Sequence, residues 1–363
     1  MNASGKTSSL FIHSRDYDLG FFILSGLAAL LLIIPFVMYG QASVWPIYNI
    51  YLVFFGLPHN YMTWATLLPP SSRKTFRMEP IITAGIFSLA LCALIPFTKG
   101  TSFGDWILSF IAYFSLWHAY RQHHGICKVY DSVQAKRTGD TTIFADRKPL
   151  NLFFGFAAMA VIVWAFTHPH IDYLLSPDDK HELIHPVVPW EVFIAYCTFT
   201  VLVGLYGLKR AVWDRYRAGK FIPWPQLGLM GVALAAYIVP YFFMGLESIP
   251  VPVAIGTIFH NIQYFGFVWA FERQRVREFQ ASKEILGFPQ RLVAQASWKT
   301  YGAVALAYSF MIVAFYLTLP HVYGLALIYF TGISHYIIDG YVWRRDTNQL
   351  ISKVVERWAV RLA

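Results

Sequence analysis

Histidines His59, His118, His260 and His335 each stand inside an apolar run, in the segments PHN (58–60), FSLWHAYRQHHG (114–125), FHN (259–261) and TGISHYIIDGYVW (331–343). An imidazole can ligate a metal, ligate a haem or carry a proton near neutral pH. A polar ring among apolar neighbours is costly unless something pairs with it. Four such placements therefore call for a common reason, and all three chemistries remain open at this point. The neighbours add detail. Asp339 lies four residues after His335, on the same helix face. It could ligate directly, orient a liganding imidazole by a hydrogen bond, or form a salt bridge with Arg121 or Arg273. Gln263 and Tyr264 share a face with His260, which makes Asp339, Tyr264 and Gln263 the candidates for catalytic or substrate-contacting roles. His123 and His124 are further candidate ligands, although a helix would turn them about 140° and 240° away from His118. They converge with it only if that helix ends near Gln122. Asn60 and Asn261 point about 100° from their neighbouring histidines and are better placed to bond helix to helix. Pro58 removes a backbone hydrogen bond beside His59.

The elements that must position these groups are membrane helices. The chain has 363 residues, of which 56% are hydrophobic, 18% aromatic and 13% charged. A soluble domain carries about 25% charged residues. Apolar runs of about 20 residues, the span of a bilayer core, recur at 19–39, 44–68, 79–97, 104–122, 150–167, 190–208, 226–245, 250–271, 299–318 and 322–343. The expectation is an all-α, polytopic helical bundle of about ten transmembrane helices, forming a single transmembrane domain over residues 1–363. Spans two, four, eight and ten carry the histidines and should form its interior. Spans one, five, six and nine should face lipid.

Loop charge gives the orientation, because cytoplasmic loops collect Lys and Arg. With both termini inside, all but Lys99 and Lys180 of the 29 Lys and Arg residues fall on the cytoplasmic side. The net charge of +9 is thus a topology signal and needs no nucleic acid. Counted from the inner end of each span, His59, His260 and His335 lie within a few ångströms of one depth, about eight to eleven residues up. His118 falls one to two turns lower, with His123 and His124 at the inner rim. The polar leader and the length of the first apolar run predict no cleaved signal peptide. The three cysteines form no framework. The loop 121–149 predicts a short surface helix, and 271–298 an amphipathic helix along the inner membrane face. The outer loop 168–190 is acidic and rich in histidine.

The segments GLPHN (56–60) and WHAYRQHHG (117–125) resemble those of the bacteriorhodopsin-related-protein family, the membrane β-carotene cleavage dioxygenases of microbes. The chain departs from that pattern in having Asn60 where the family continues Pro-His-Gly. A lesser likeness joins His118, His123 and His124 to the histidine boxes of membrane desaturases and hydroxylases. The resemblance implies one non-haem Fe(II), dioxygen as co-substrate and a long apolar substrate (isoprenoid, carotenoid or acyl) in a bacterial inner membrane.

On this reading His59, His118, His260 and His335 hold the iron, with His123 or His124 as additional ligands. The partners are membrane lipids and the lipophilic substrate, plus an electron donor if the reaction is not a dioxygenation. The alternatives are a haem b electron-transfer protein and a transporter lined by His and Asp. The outer halves of the histidine-bearing spans carry few of the polar groups a transport route requires.

Overall fold

The computed structural model describes residues 11–67, 76, 78–98, 100–176, 179–281, 288–294, 297–344 and 349–360. The chain is all-α apart from a two-stranded antiparallel hairpin, β1 (Asp172–Ser176) and β2 (Asp179–Glu182), inside the expected outer loop. Among the described residues eleven helices run in order: α1 (Arg15–Leu67), α2 (Met78–Thr98), α3 (Ser102–Thr138), α4 (Ile143–Ala165), α5 (Trp190–Arg217), α6 (Trp224–Met244), α7 (Pro250–Ala281), α8 (Phe288–Ala294), α9 (Trp298–Thr318), α10 (His321–Val342) and α11 (Gln349–Val360). Eight of them, all but α3, α8 and α11, are long and apolar enough to cross a membrane. This is the make-up of a multi-pass membrane protein.

The 53 residues of α1 would reach about 80 Å, against a bilayer core of about 30 Å. The helix is broken midway. Gly40 takes a positive φ of 55° and opens a 3₁₀ turn, Gly40–Ser43, so the two arms 15–39 and 44–67 coincide with the first two expected spans. Helix α3 is too polar in its second half to pass as a span, yet it contains the fourth expected one. It does not end near Gln122 but continues to Thr138, so no separate surface helix forms in 121–149. Likewise α7 runs on to Ala281. Its continuation is packed rather than laid on a membrane face, since Glu272 and Arg275 are buried. Residues 282–287 and 295–296 of the expected amphipathic segment lie outside the described residues, as do Arg73, Lys74, Arg77 and Lys99.

The chain divides into two compact units. The first comprises Met1–Ile47, Leu116–His260 and Val355–Ala363. Within it α4 packs along α5, at a point where Gly207 is obligatory: a Cβ there would stand 2.8 Å from the Leu150 backbone. Buried Arg147 donates to Asp131 (2.7 Å) and Gln134 (2.5 Å) on α3, and to Gln226 (2.8 Å) on α6. Arg215 holds Asp140 and Asp146, both at 2.9 Å. Burial raises the Asp140 carboxyl, but hydrogen bonds from Thr142 and Arg215 outweigh it and hold the group down at about 2. Lys136 pairs with Glu356 on α11, and Gln41 donates to Ser248 at 2.8 Å.

The second unit comprises Tyr48–Ser115 and Asn261–Val354. Here the lower arm of α1 packs against α9 and α10, and α2 lies along α10. Arg275 donates to the Thr66 carbonyl at 2.8 Å and pairs with Glu272 at 3.0 Å.

Burial separates the spans as their polar content requires. In the most apolar stretch of α7, 72% of residues are buried, against 22% in α5 and α9. Among these eight helices α7, the eighth expected span, is the most buried, and expected spans six and nine present mostly exposed surface; α10, the tenth expected span, is buried no more than α6, at 39% each.

Candidate metal centre

His59 owes its position to an irregular stretch of α1. Residues Leu52–Gly56 form a π-helical segment just before Pro58. Proline has no N–H to return to the preceding turn, and a π turn widens the helix there. The carbonyl of Val53 would face Pro58 in that wider turn; it accepts instead from the Ser309 hydroxyl of α9 at 2.6 Å. Asn60 donates to Thr331 of α10 at 3.3 Å, the helix-to-helix bond expected of it. Below this anchor His59 is buried beside His335, with ring centroids 4.2 Å apart and planes at 75°. The Tyr264 ring stands 4.3 Å from that of His59.

His118 and His260 form a second close pair, at 5.2 Å and 73°. Gln122, one turn after His118, donates to the His260 carbonyl at 2.7 Å. The 5.2 Å ring separation places His118 beside His260 rather than a turn or two lower. Depth counted from a helix end is wrong where the helix runs on, and α3 extends well past Gln122.

One nitrogen from each of His59, His118, His260 and His335 can be chosen so that all four lie within 4.8 Å of one another, and all four residues are buried. Imidazole–metal bonds are about 2.0–2.1 Å, which puts opposite ligands about 4.2 Å apart. The cluster could hold a single ion. Its donors are imidazoles alone. Such a set suits iron, copper, nickel or zinc and does not suit calcium or magnesium, which prefer oxygen.

A hydroxyl-bridged carboxylate adjoins the cluster. Asp339 is buried, and its Oδ1 accepts from Thr63 Oγ1 at 2.8 Å and from the Tyr264 hydroxyl at 2.9 Å. Thr63 Oγ1 also lies 2.5 Å from His335 Nδ1, while Asp339 Oδ1 is 3.7 Å from that nitrogen. Trp343 Nε1 donates to the Tyr264 hydroxyl at 3.3 Å. The alternative salt bridge does not form: Arg121 and Arg273 are exposed, and Arg121 lies over the Trp117 ring at 5.4 Å.

The remaining candidates are placed as follows. Gln263 is fully buried one turn beyond His260. His123 is buried rather than at a rim. It stacks on Phe259 at 4.9 Å, sits 3.3 Å from the Tyr237 hydroxyl, and its ring is 5.8 Å from that of His260. It borders the four-nitrogen group without belonging to it. His124 is turned away and stacks on Tyr120 at 5.6 Å, as an unbroken helix requires. Thr63 and Trp343 are the residues that sequence reasoning missed. Thr63 follows His59 by four residues and Trp343 follows Asp339 by four, which puts each on a candidate's helix face without singling it out. No family model, curated protein or solved structure matches the chain.

Proposed function

We propose that this protein is a membrane-embedded, non-haem iron-dependent oxygenase acting on a lipophilic substrate, with one Fe(II) held by His59, His118, His260 and His335. The observation that carries the reading is the convergence of four buried imidazole nitrogens within 4.8 Å. That convergence argues against haem, whose own ring nitrogens would occupy the positions around the iron. Iron held by imidazoles supplies redox chemistry with dioxygen and leaves coordination positions open.

The chain's own residues have complementary tasks. The aromatic rings of Tyr264 and Phe265, 4.3 and 6.4 Å from the His59 ring, offer an apolar wall for an oily substrate and keep water out. The Thr63 and Tyr264 hydroxyls, both held by Asp339, place protons beside the ligand set. Oxidative cleavage of a carbon–carbon double bond by one dioxygen, yielding two carbonyl groups, balances without an external reductant. An electron donor is required only if the reaction is a different oxygenation.

The topology proposed is ten crossings of a cytoplasmic membrane with both termini inside. Three bonds of the first unit support it. Gln41 and Ser248 join two turns assigned to the outside, whereas Arg215–Asp140 and Lys136–Glu356 join segments assigned to the inside.

Metal analysis of the purified protein, with its absorption spectrum, tests the reading. Iron without a Soret band is expected. A Soret band would establish a haem protein, and absence of metal would leave His and Asp as proton carriers. Replacing any of the four histidines by Ala should lower bound iron severalfold with the protein still inserted. Full retention of iron in His335→Ala would remove that residue from the site.

A further inference from the structure

Helix α5 turns an apolar stripe outward near its C-terminal end. Leu205, Leu208, Lys209, Val212 and Trp213 fall at i, i+3, i+4, i+7 and i+8, the spacing of one helix face. In a soluble protein such a face meets the core. Here the core lies on the other side: Gly204, Gly207 and Ala211 are buried, Gly204 against Phe153 and Gly207 against Leu150 of α4. Leu205, Leu208 and Trp213 are exposed. The stripe forms one wall of a groove of about 630 Å³, and Trp224 and Leu227 of α6 form the other. That volume falls among pockets that take small molecules, about 300–1,000 Å³. Every lining residue is apolar except Lys209.

Cations border this groove. Lys209–Asp214 is a π-helical segment. Its ladder runs i→i+5, so Lys209 and Asp214, five apart, meet on one face at 3.0 Å. The carboxylate takes at most two of the three N–H groups of the ammonium and holds it at the groove. Arg217 lies over the Trp213 ring at 4.6 Å and, among the described residues, pairs with no carboxylate. The five cations Lys209, Arg210, Arg215, Arg217 and Lys220 share three carboxylates, Asp140, Asp146 and Asp214, and leave two positive charges in excess. We infer that the α5–α6 groove binds one anionic phospholipid, with an acyl chain along Leu205, Val212 and Leu227 and the phosphate accepting from Lys209 and Arg217. Trp213 and Trp224 then sit at headgroup level, where tryptophan is enriched, at the end of α5 assigned to the cytoplasmic leaflet and its anionic lipids. The plain flank of a membrane helix takes any acyl chain; the ammonium and guanidinium fixed beside this groove make the headgroup matter. The inference stands without the metal reading, since the groove shares no residue with the histidine cluster.

The test uses the full-length protein in detergent, given equal amounts of phosphatidylglycerol and phosphatidylcholine with identical acyl chains. Native mass spectrometry counts the lipid retained. Each cation facing an anionic lipid contributes about a fivefold factor. One phosphatidylglycerol per chain should therefore be retained about twenty-fivefold over phosphatidylcholine. Arg217→Gln and Lys209→Gln should each cut that preference to about fivefold. Lys353→Gln removes an equal charge from an exposed position on α11 and should change nothing. Fluorescence reads the location. Phosphatidylglycerol with brominated chains should quench the wild type, and Trp213→Phe/Trp224→Phe should lose the quenching that unbrominated phosphatidylglycerol displaces. Equal retention of the two lipids makes the groove ordinary lipid-facing surface and overturns the inference, a result that requires no variant to fold. An equal loss in Lys353→Gln assigns the preference to diffuse charge, and unchanged quenching in the double tryptophan variant places the lipid elsewhere; either overturns it. Retention of no lipid, with a disulfide-linked dimer forming in Leu208→Cys, gives the groove to a second copy of the chain and overturns it as well.

Discussion

The Asp339 carboxylate accepts two hydroxyl protons and, among the described residues, makes no ion pair with an arginine, and this determines what its replacement does. Asp339→Asn keeps an acceptor oxygen and removes the charge, so the bonds from Thr63 and Tyr264 drop to neutral strength. Turnover of an added lipophilic substrate should fall further than bound iron does, with thermal stability nearly unchanged. Iron loss as large as in His335→Ala would make Asp339 a direct ligand, and unchanged turnover would deny it any part in the site. The histidine cluster was largely legible at this scale because its signature is residue type at a depth: three histidines a similar distance from their helix ends. Thr63 was not legible. A threonine in an apolar run commonly bonds its own helix backbone, as Thr66 does with the Met62 carbonyl, and nothing in one sequence marks the threonine that instead faces a carboxylate from another helix.

Among the elements, the second arm of α1 shows how a strained segment is held in place. The Pro58 irregularity leaves a carbonyl to be satisfied from outside, and Ser309 of α9 does so. Ser309→Ala should destabilise the protein by about 1–3 kcal/mol, the cost of a buried unsatisfied acceptor, and should loosen metal binding by letting the turn above His59 relax. Ser88→Ala is the control. Ser88 bonds the Ala84 carbonyl of its own helix, which is already paired, so its loss should cost a fraction of that in thermal unfolding. Equal effects would deny the π segment its dependence on α9. Helix length was the least legible property. Gln122, His123 and His124 look like a helix end because polarity rises there, but α3 continues to Thr138 with Tyr130, Asp131 and Gln134 buried. Protein partners had replaced lipid around that stretch, and hydropathy cannot distinguish them from water. The same blindness set His118 too low.

For the whole molecule, loop charge leads to the expectation that segments 121–149, 209–225 and the C-terminal tail share a side, and ion pairs of the first unit join these segments. One of them has a pH signature. The Asp140 carboxyl is depressed from 3.8 to about 2, so its stabilisation is complete above its unfolded value, near pH 4, and is lost as pH falls through about 2. Wild type should lose stability over that window, and Asp140→Asn should flatten the loss; identical pH profiles for the two would show that Arg215 does not hold the turn. Arg147 carries a consequence of another kind, in the order of synthesis. Its guanidinium bonds Asp131 and Gln134, which precede it, and Gln226, which lies 79 residues later. At about 5–20 residues per second the ribosome needs roughly 4–16 s to reach that residue. For this interval a full charge at the head of α4 has its carboxylate partner but lacks its last acceptor. Helices α3 and α4 would therefore pair first, through Arg147 and Asp131, and await α6. Gln226→Leu would make the interval permanent: the variant should accumulate at a lower steady-state level in pulse-chase measurements, its losses falling soon after synthesis rather than in the mature protein.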